Sequence, residues 1–136
     1  RFEPVGEETY VDCDVICIAV GLSPTTEILS QAGCKMMYVP QLCGLVARRD
    51  RAMRTSNPDF YTAGDASGIE EASAAMVEGR IAGLSAAADL GYPTEHGKLD
   101  EYWGRLQALR SGEAGARICQ GLECVLVNRW EDVSNG

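Results

Sequence analysis

The chain has 136 residues, 46% of them hydrophobic and 24% charged, enough for one ordinary globular domain with an apolar core. With 20 acidic residues against 12 basic ones the net charge is −8, which argues against a nucleic-acid partner, and the clustered Arg48, Arg49, Arg51 and Arg54 share their stretch with Asp50. No apolar run approaches the roughly 20 residues that cross a bilayer, and Arg1-Phe2-Glu3-Pro4 carries neither an apolar signal segment nor an initiator Met, so the expectation is a soluble, cytoplasmic protein with no membrane partner, whose chain belongs to something longer.

In chain order, Thr9 to Val20 is a nearly continuous β-branched and apolar run, the pattern of a strand buried on both faces of a parallel sheet. Gly21-Leu22-Ser23-Pro24 ends it, with Ser23 suited to cap and Pro24 to begin a short helix through Gln31 that stops at Gly33. Lys35 to Val39 and Gly44 to Arg48 read as shorter strands around Pro40. Arg51 to Asn57 reads as connecting chain with a turn at Asn57-Pro58. Asp59 to Ala63 is a second buried strand candidate, broken by Gly64-Asp65-Ala66-Ser67-Gly68.

Ile69 to Leu90 reads as a long helix, capped at Gly91 and stopped at Pro93. Along it Ala72, Ala75, Gly79, Gly83, Ala86 and Leu90 recur at helical spacing. Two mid-helix glycines, each costing about 1 kcal/mol relative to alanine, predict close approach to a sheet or another backbone. Leu99, Tyr102, Trp103, Leu106 and Arg110 mark another helix, ended by Ser111-Gly112 and lying across the domain surface. Ala116 to Val127 reads as two short strands with Gly121 near their turn, and Asn128 to Gly136 as a polar tail.

The six cysteines would suit a disulfide scaffold in a small secreted protein, but this composition fills a core without staples, so they read as mostly buried thiols. Cys13 and Cys17 fall on one face of the first strand candidate. Cys119 and Cys124 have a CxxxxC spacing with no nearby His or second Cys pair, which favours packed thiols over a metal or cluster site. His96, the only histidine, sits in a polar loop and reads as solvated.

Chemistry concentrates at Tyr61-Thr62-Ala63-Gly64-Asp65-Ala66-Ser67-Gly68, which orders strand, sharp turn, acid, small residues and helix start as a nucleotide site requires. Gly64 lets a ligand approach the backbone, Asp65 can accept a hydrogen bond from a cofactor hydroxyl, and the next helix offers free N–H groups. The plainer alternative has Asp65 or Ser67 merely capping that helix, with Glu70 and Glu71 complementing its dipole.

Three motifs together resemble the pyridine nucleotide-disulfide oxidoreductase superfamily. Asp14-Val15-Ile16-Cys17-Ile18-Ala19-Val20-Gly21-Leu22-Ser23-Pro24 is similar to the family's aspartate, apolar strand and AxGxxP turn. Thr55 to Asp65 (TSNPDFYTAGD) resembles its second FAD signature, and Ala72 to Gly83 (ASAAMVEGRIAG) its small-residue helix beneath the flavin. These cover roughly residues 8 to 92. The Gly68-Ile69 pair, the EGRIAG run and Leu90-Gly91 look most like the amine-oxidising branch, similar to sarcosine oxidase α, hydrogen cyanide synthase and opine oxidase subunits.

The resemblance implies an α/β, incomplete FAD/NAD(P)-binding Rossmann-like fold, with parallel strands under a small-residue helix. It implies that Asp65 hydrogen-bonds the ribityl chain of FAD, with Gly64 beside it among the cofactor-binding residues, while the backbone at Ala72 and Ser73 points the helix N-terminus at the flavin. Residues 1–92 would be the C-terminal segment of that fold and residues 93–136 a helix and short-strand extension. Neither GxGxxG turn of the family, for FAD or for NAD(P), occurs in the sequence. The expectation is therefore an FAD-domain segment of a flavoprotein that passes electrons between a small organic substrate and flavin, with NAD(P) or another acceptor, inactive alone and without catalytic or metal-binding residues. Its partner would be the rest of the flavoprotein, a partner subunit, or a second copy in a homodimer. The rivals are a noncatalytic interaction module and a thiolate metal module on Cys119 and Cys124.

Overall fold

Pro40 and the two short apolar runs that flank it fold into a hairpin. In the computed structural model, which describes residues 5–128 and 130, strand β1 (Met36–Val39) pairs antiparallel with β2 (Gly44–Ala47), Met36 opposite Ala47 and Val39 opposite Gly44. A single 3₁₀ turn, Pro40–Leu42, connects them. Arg1-Phe2-Glu3-Pro4 and, apart from Asn128 and Trp130, the polar tail lie outside the described residues.

Helix α1 (Glu27–Gln31) begins after Thr26 rather than Ser23, because Thr26 Oγ1 donates to the Leu45 carbonyl at 3.2 Å and Pro24 lies against Gly44, not in a helical turn. It stops as expected: the Cys34 N–H bonds to Leu29 O and the Gly33 N–H to Ser30 O, both 3.0 Å, closing the helix in a Schellman pattern. Helix α2 (Ala72–Asp89) closes the same way, with Tyr92 N–H on Ala87 O and Gly91 N–H on Ala88 O at 2.9 Å. Its start is three residues later than predicted, since Ile69 runs beside the hairpin with its N–H on Leu42 O. The turn at Asn57-Pro58 forms, closed by the Phe60 N–H on Asn57 O at 3.0 Å.

Helix α3 (Lys98–Leu109) lies on α2. Leu106, fully buried, meets Met53, Ala74, Val77 and Ile81, with Tyr102 and Trp103 at the margin. The Trp103 indole donates to Arg51 O at 2.8 Å while the Arg51 guanidinium sits 5.0 Å above its ring, so the aromatic face is anchored to the loop. A second cluster, Val39, Leu42, Val46, Leu122 and Val125, joins the hairpin to the last helix.

That last helix corrects the sequence expectation. Ala116 to Val127 forms no strand pair; Glu113–Val125 is one helix, α4. Ile118, Leu122 and Val125 recur at helical spacing and face the hairpin, and this periodicity outweighs the local β-branched content. Gly121 is a contact glycine, not a turn: a Cβ there would lie 2.9 Å from Gln41 Cβ and Leu42 Cγ.

Three further expectations fail for a shared reason. Thr9 to Val20 is not a buried strand; it carries no ladder, and Val11, Val15, Ile16, Ile18 and Val20 are 75–88% exposed. A central parallel strand needs hydrogen-bonding neighbours on both sides, and among the described residues none runs beside it. Asp59 to Ala63 likewise gives only an isolated antiparallel bridge, Tyr61 to Arg54. The parallel strands expected of the fold do not form among the described residues, where the sheet is the two-stranded hairpin and the one parallel pairing is the bridge from Arg49 to Leu126.

The two glycines of the small-residue stripe of α2 also make no close approach: Gly79 and Gly83 are exposed, with open space around a would-be Cβ. Helix α2 instead buries Ala74, Val77, Glu78, Ile81 and Ser85. Among the described residues no helix is long and apolar enough to cross a membrane.

These environments separate two glycines. Gly121→Ala should destabilise by about 1–3 kcal/mol through overpacking, whereas Gly79→Ala should stabilise by about 1 kcal/mol by removing a helix-interior glycine; urea unfolding of the chain measures both.

Candidate functional site

The Gly64-Asp65 turn forms where the sequence places it. Thr62 is buried, Gly64 takes a φ of 66°, and Gly64–Ser67 make one 3₁₀ turn. The left-handed φ favours glycine, and the space favours it too, since a Cβ would lie 3.3 Å from Ala75 Cβ on α2. Asp65 is exposed, and its carboxylate makes no hydrogen bond or ion pair with the described residues. Ser67 is buried with its Oγ 3.3 Å from Thr62 Oγ1. Neither residue caps α2, whose N-cap is Glu71 with no side-chain capping bond.

Behind the turn lies a buried ionic cluster that the sequence reading missed. Glu78, on the inner face of α2 and 1% exposed, accepts the Gly64 N–H on Oε2 at 2.9 Å. Its Oε1 accepts Arg49 Nη2 at 3.1 Å and Arg110 Nη2 at 2.7 Å. Arg49 also donates Nη1 to Ser67 O at 3.0 Å, and Arg110 grips Glu70 through both Nε and Nη2. Burial pulls the Arg49 pKa below its ordinary value, with Glu78 offsetting part of that loss and Arg110 adding to it. For Arg110 burial acts the same way, but the hydrogen bonds and charges of Glu70 and Glu78 outweigh it and the net shift is upward. Guanidinium groups stay charged regardless, so two cations face two anions. The signal was present in the sequence: Glu78 falls among Ala74, Val77, Ile81 and Ser85, the apolar phase of the helix, where an acid requires a buried partner.

The first turn of α2 opens on a cavity of about 500 Å³. Cys43, Glu70, Ser73, Arg110, Ala114 and Ile118 are among its walls, so the hairpin turn, the end of α3 and the start of α4 all contribute to it. Ser73 thus reaches the cavity and Ala72 is exposed beside it, while Gly64 and Asp65 sit on the neighbouring turn, outside that lining. Beyond the turn, Tyr61 OH and the Arg54 guanidinium both donate to Asp89 near the end of α2. The hydrogen bonds of Tyr61 and then of Arg54 hold the Asp89 carboxyl below its usual range; burial, and then that same bond, raise the Tyr61 phenol.

The thiols do not pack as expected. Only Cys34 is buried, 3.2 Å from Thr55 Oγ1, and Cys13, Cys17, Cys43, Cys119 and Cys124 are exposed. On a helix the five-residue step from Cys119 to Cys124 turns the two side chains onto different faces. Among the described residues no three His, Cys, Asp or Glu side chains are grouped to hold a metal ion, and His96 is exposed.

A family model, pyridine nucleotide-disulphide oxidoreductase, matches residues 4–79, more than half of the chain. An opine oxidase subunit of Rhizobium meliloti is 36% identical over 91 residues, covering 67% of this chain and 17% of that protein. The corresponding opine oxidase subunit of Agrobacterium tumefaciens (strain Ach5) is 34% identical over 83 residues, 61% of this chain and 16% of that protein. Dihydrolipoyl dehydrogenase of Bacillus subtilis (strain 168) is 36% identical over 95 residues, 69% of this chain and 19% of that protein. The chain therefore spans between about a sixth and a fifth of the length of these relatives. No solved structure matches it significantly.

Two outcomes follow from the electrostatics. Arg49→Met should cost about 3 kcal/mol in urea unfolding, because it strands part of the charge of Glu78 in the interior. For Asp89 the folded pKa lies below the unfolded one, so its contribution is present above about pH 4 and lost as pH falls through the depressed folded value. The Tm advantage of wild type over Asp89→Asn should accordingly hold at pH 7 and vanish in strong acid.

Proposed function

Since the chain belongs to the pyridine nucleotide-disulphide oxidoreductase family, flavoprotein oxidoreductases with a Rossmann-like dinucleotide-binding fold, we propose that it supplies the second FAD-binding signature of a longer enzyme. In this role Asp65 accepts a hydrogen bond from a ribityl hydroxyl of FAD and Gly64 lets the cofactor pass close to the backbone. Ala72 and Ser73 turn the N–H end of α2 toward the flavin. The observation that carries the proposal is the Asp65 carboxylate: exposed, unbonded to the described residues, and set on a turn fixed from behind by buried charges.

The residues present fit that cofactor. A helix N-terminus without a side-chain cap leaves its N–H groups for a ligand, and its dipole favours negative charge on one. The cavity at that end has the size of a small-molecule site. Arg110 neutralises Glu70 on the cavity wall, so one of the two adjacent carboxylates does not repel negative charge on a ligand there. FAD, when bound, supplies two-electron redox chemistry between a small organic substrate and NAD(P) or another acceptor.

The similarity to proteins named as opine oxidase subunits supports an amine substrate in the amine-oxidising branch. Residues 1–92 would then form the C-terminal segment of the FAD fold and residues 93–136 an extension docked on it through α3. The exposed run from Val11 to Leu22 and the small-residue face of α2 would be covered by the rest of the flavoprotein or by a partner subunit.

FAD titration of the full-length protein, followed by flavin fluorescence quenching, tests the assignment. Asp65→Ala should weaken binding at least about tenfold, or about 1.4 kcal/mol. Equal binding by wild type and variant would remove Asp65 from the cofactor site.

A further inference from the structure

We propose that Glu78 is the positioning residue of the cofactor turn, setting where Asp65 points without touching the ligand; this rests on the FAD role proposed for Asp65. The Asp65 side chain makes no bond to the described residues, so only the backbone of its own turn fixes its direction. That backbone is held at both ends by one carboxylate. Glu78 Oε2 takes the Gly64 N–H directly at 2.9 Å, and Oε1 holds Arg49, whose other nitrogen takes Ser67 O at 3.0 Å. The turn spans Gly64–Ser67, so both of its boundaries are tied to the same 1% exposed side chain.

The same Oε1 carries Arg110 at 2.7 Å, and Arg110 carries Glu70 on the cavity wall. Glu78 therefore also sets the spacing between the turn and the cavity in front of α2. The geometry uses all that a carboxylate has and a neutral side chain lacks: two acceptor oxygens, each with more than one lone pair, and a charge that balances two buried cations. A glutamine keeps one acceptor and turns two donors toward Gly64 or toward the guanidinium groups, so it fills only part of the role. Exchanging the whole ion cluster for hydrophobic contacts is often neutral in stability, whereas an apolar residue at Glu78 alone would leave Arg49 and Arg110 without their buried counter-charge. The bond to the Gly64 N–H is what separates positioning from packing.

The test compares full-length wild type, E78A, E78Q and I81A, the last a core truncation one turn farther along α2 with no hydrogen bond to Gly64. Two quantities are read: the FAD Kd by fluorescence titration, and the exchange rate of the Gly64 amide in the FAD-free protein. At matched global stability E78A should weaken FAD at least about tenfold relative to I81A, and Gly64 should exchange at least about tenfold faster, with E78Q between. Equal Kd and equal Gly64 exchange in E78A and I81A would overturn the assignment. Should both Glu78 variants fail to fold, the wild-type Gly64 amide decides: protection over a free peptide supports the contact, and exchange at the free-peptide rate overturns it. If wild type binds no FAD, the flavin proposal fails, while Gly64 exchange still tests whether Glu78 fixes the turn.

Discussion

The ion pair between Arg49 and Glu78 is the constraint on which the rest of the fold converges. Each side chain is essentially sealed from water, and a charge in that position is tolerable only when its hydrogen-bonding capacity is used by partners of opposite sign or by backbone. Arg49 meets most of the condition by reaching Ser67 O and Glu78 with its two terminal nitrogens, its buried Nε alone finding no partner among the described residues, and Glu78 meets it by holding Gly64 N–H and two guanidinium groups. The backbone of Arg49 is engaged as well, its N–H on Val125 O and its carbonyl on the Val127 N–H. One residue thus ties the end of β2 to α2, to the 3₁₀ turn and to the segment leaving α4. Arg110 brings in the end of α3. Such a cluster adds little net stability compared with an apolar core of the same shape; what it provides is one permitted arrangement of four elements around the Gly64 turn.

What is legible in the sequence is local. Gly33, Gly91 and Ser111-Gly112 stop their helices as their chemistry dictates, and the hairpin around Pro40 forms within a residue of its expected limits. The turn at Gly64 is legible because glycine, acid and small residues between two apolar stretches leave few alternatives. Ala116 to Val127 misleads because its valines, isoleucine and cysteines suggest strands, while the spacing of Ile118, Leu122 and Val125 already suits a helix face. Glu78 escapes notice for a related reason: the stripe of alanine and glycine suggests one inner face for α2, although Val77 and Ile81 mark a different one.

The run from Thr9 to Val20 shows the other boundary of sequence reasoning. Its composition records the surroundings in which both faces of a strand are covered, but a strand forms only when a neighbour accepts its backbone groups. The uncovered face of α2, with Gly79 and Gly83 at its centre, carries the same kind of record. The glycines of such a stripe cost helix stability and gain nothing in open solvent. Both features make physical sense against additional layers of a dinucleotide-binding fold, in which a small-residue helix face and an apolar central strand can meet. Their present exposure agrees with the proposed site: the turn and the start of α2 are where a sheet and its cofactor would be added.

The most direct measurement is a crystal structure of the full-length protein with FAD bound. The predicted result is an Asp65 carboxylate oxygen within about 2.6–3.2 Å of a ribityl hydroxyl, with Glu78 still holding the Gly64 N–H and Arg49. A ribityl chain bound elsewhere, with Asp65 left in solvent and the Gly64 turn untouched by the cofactor, would contradict it.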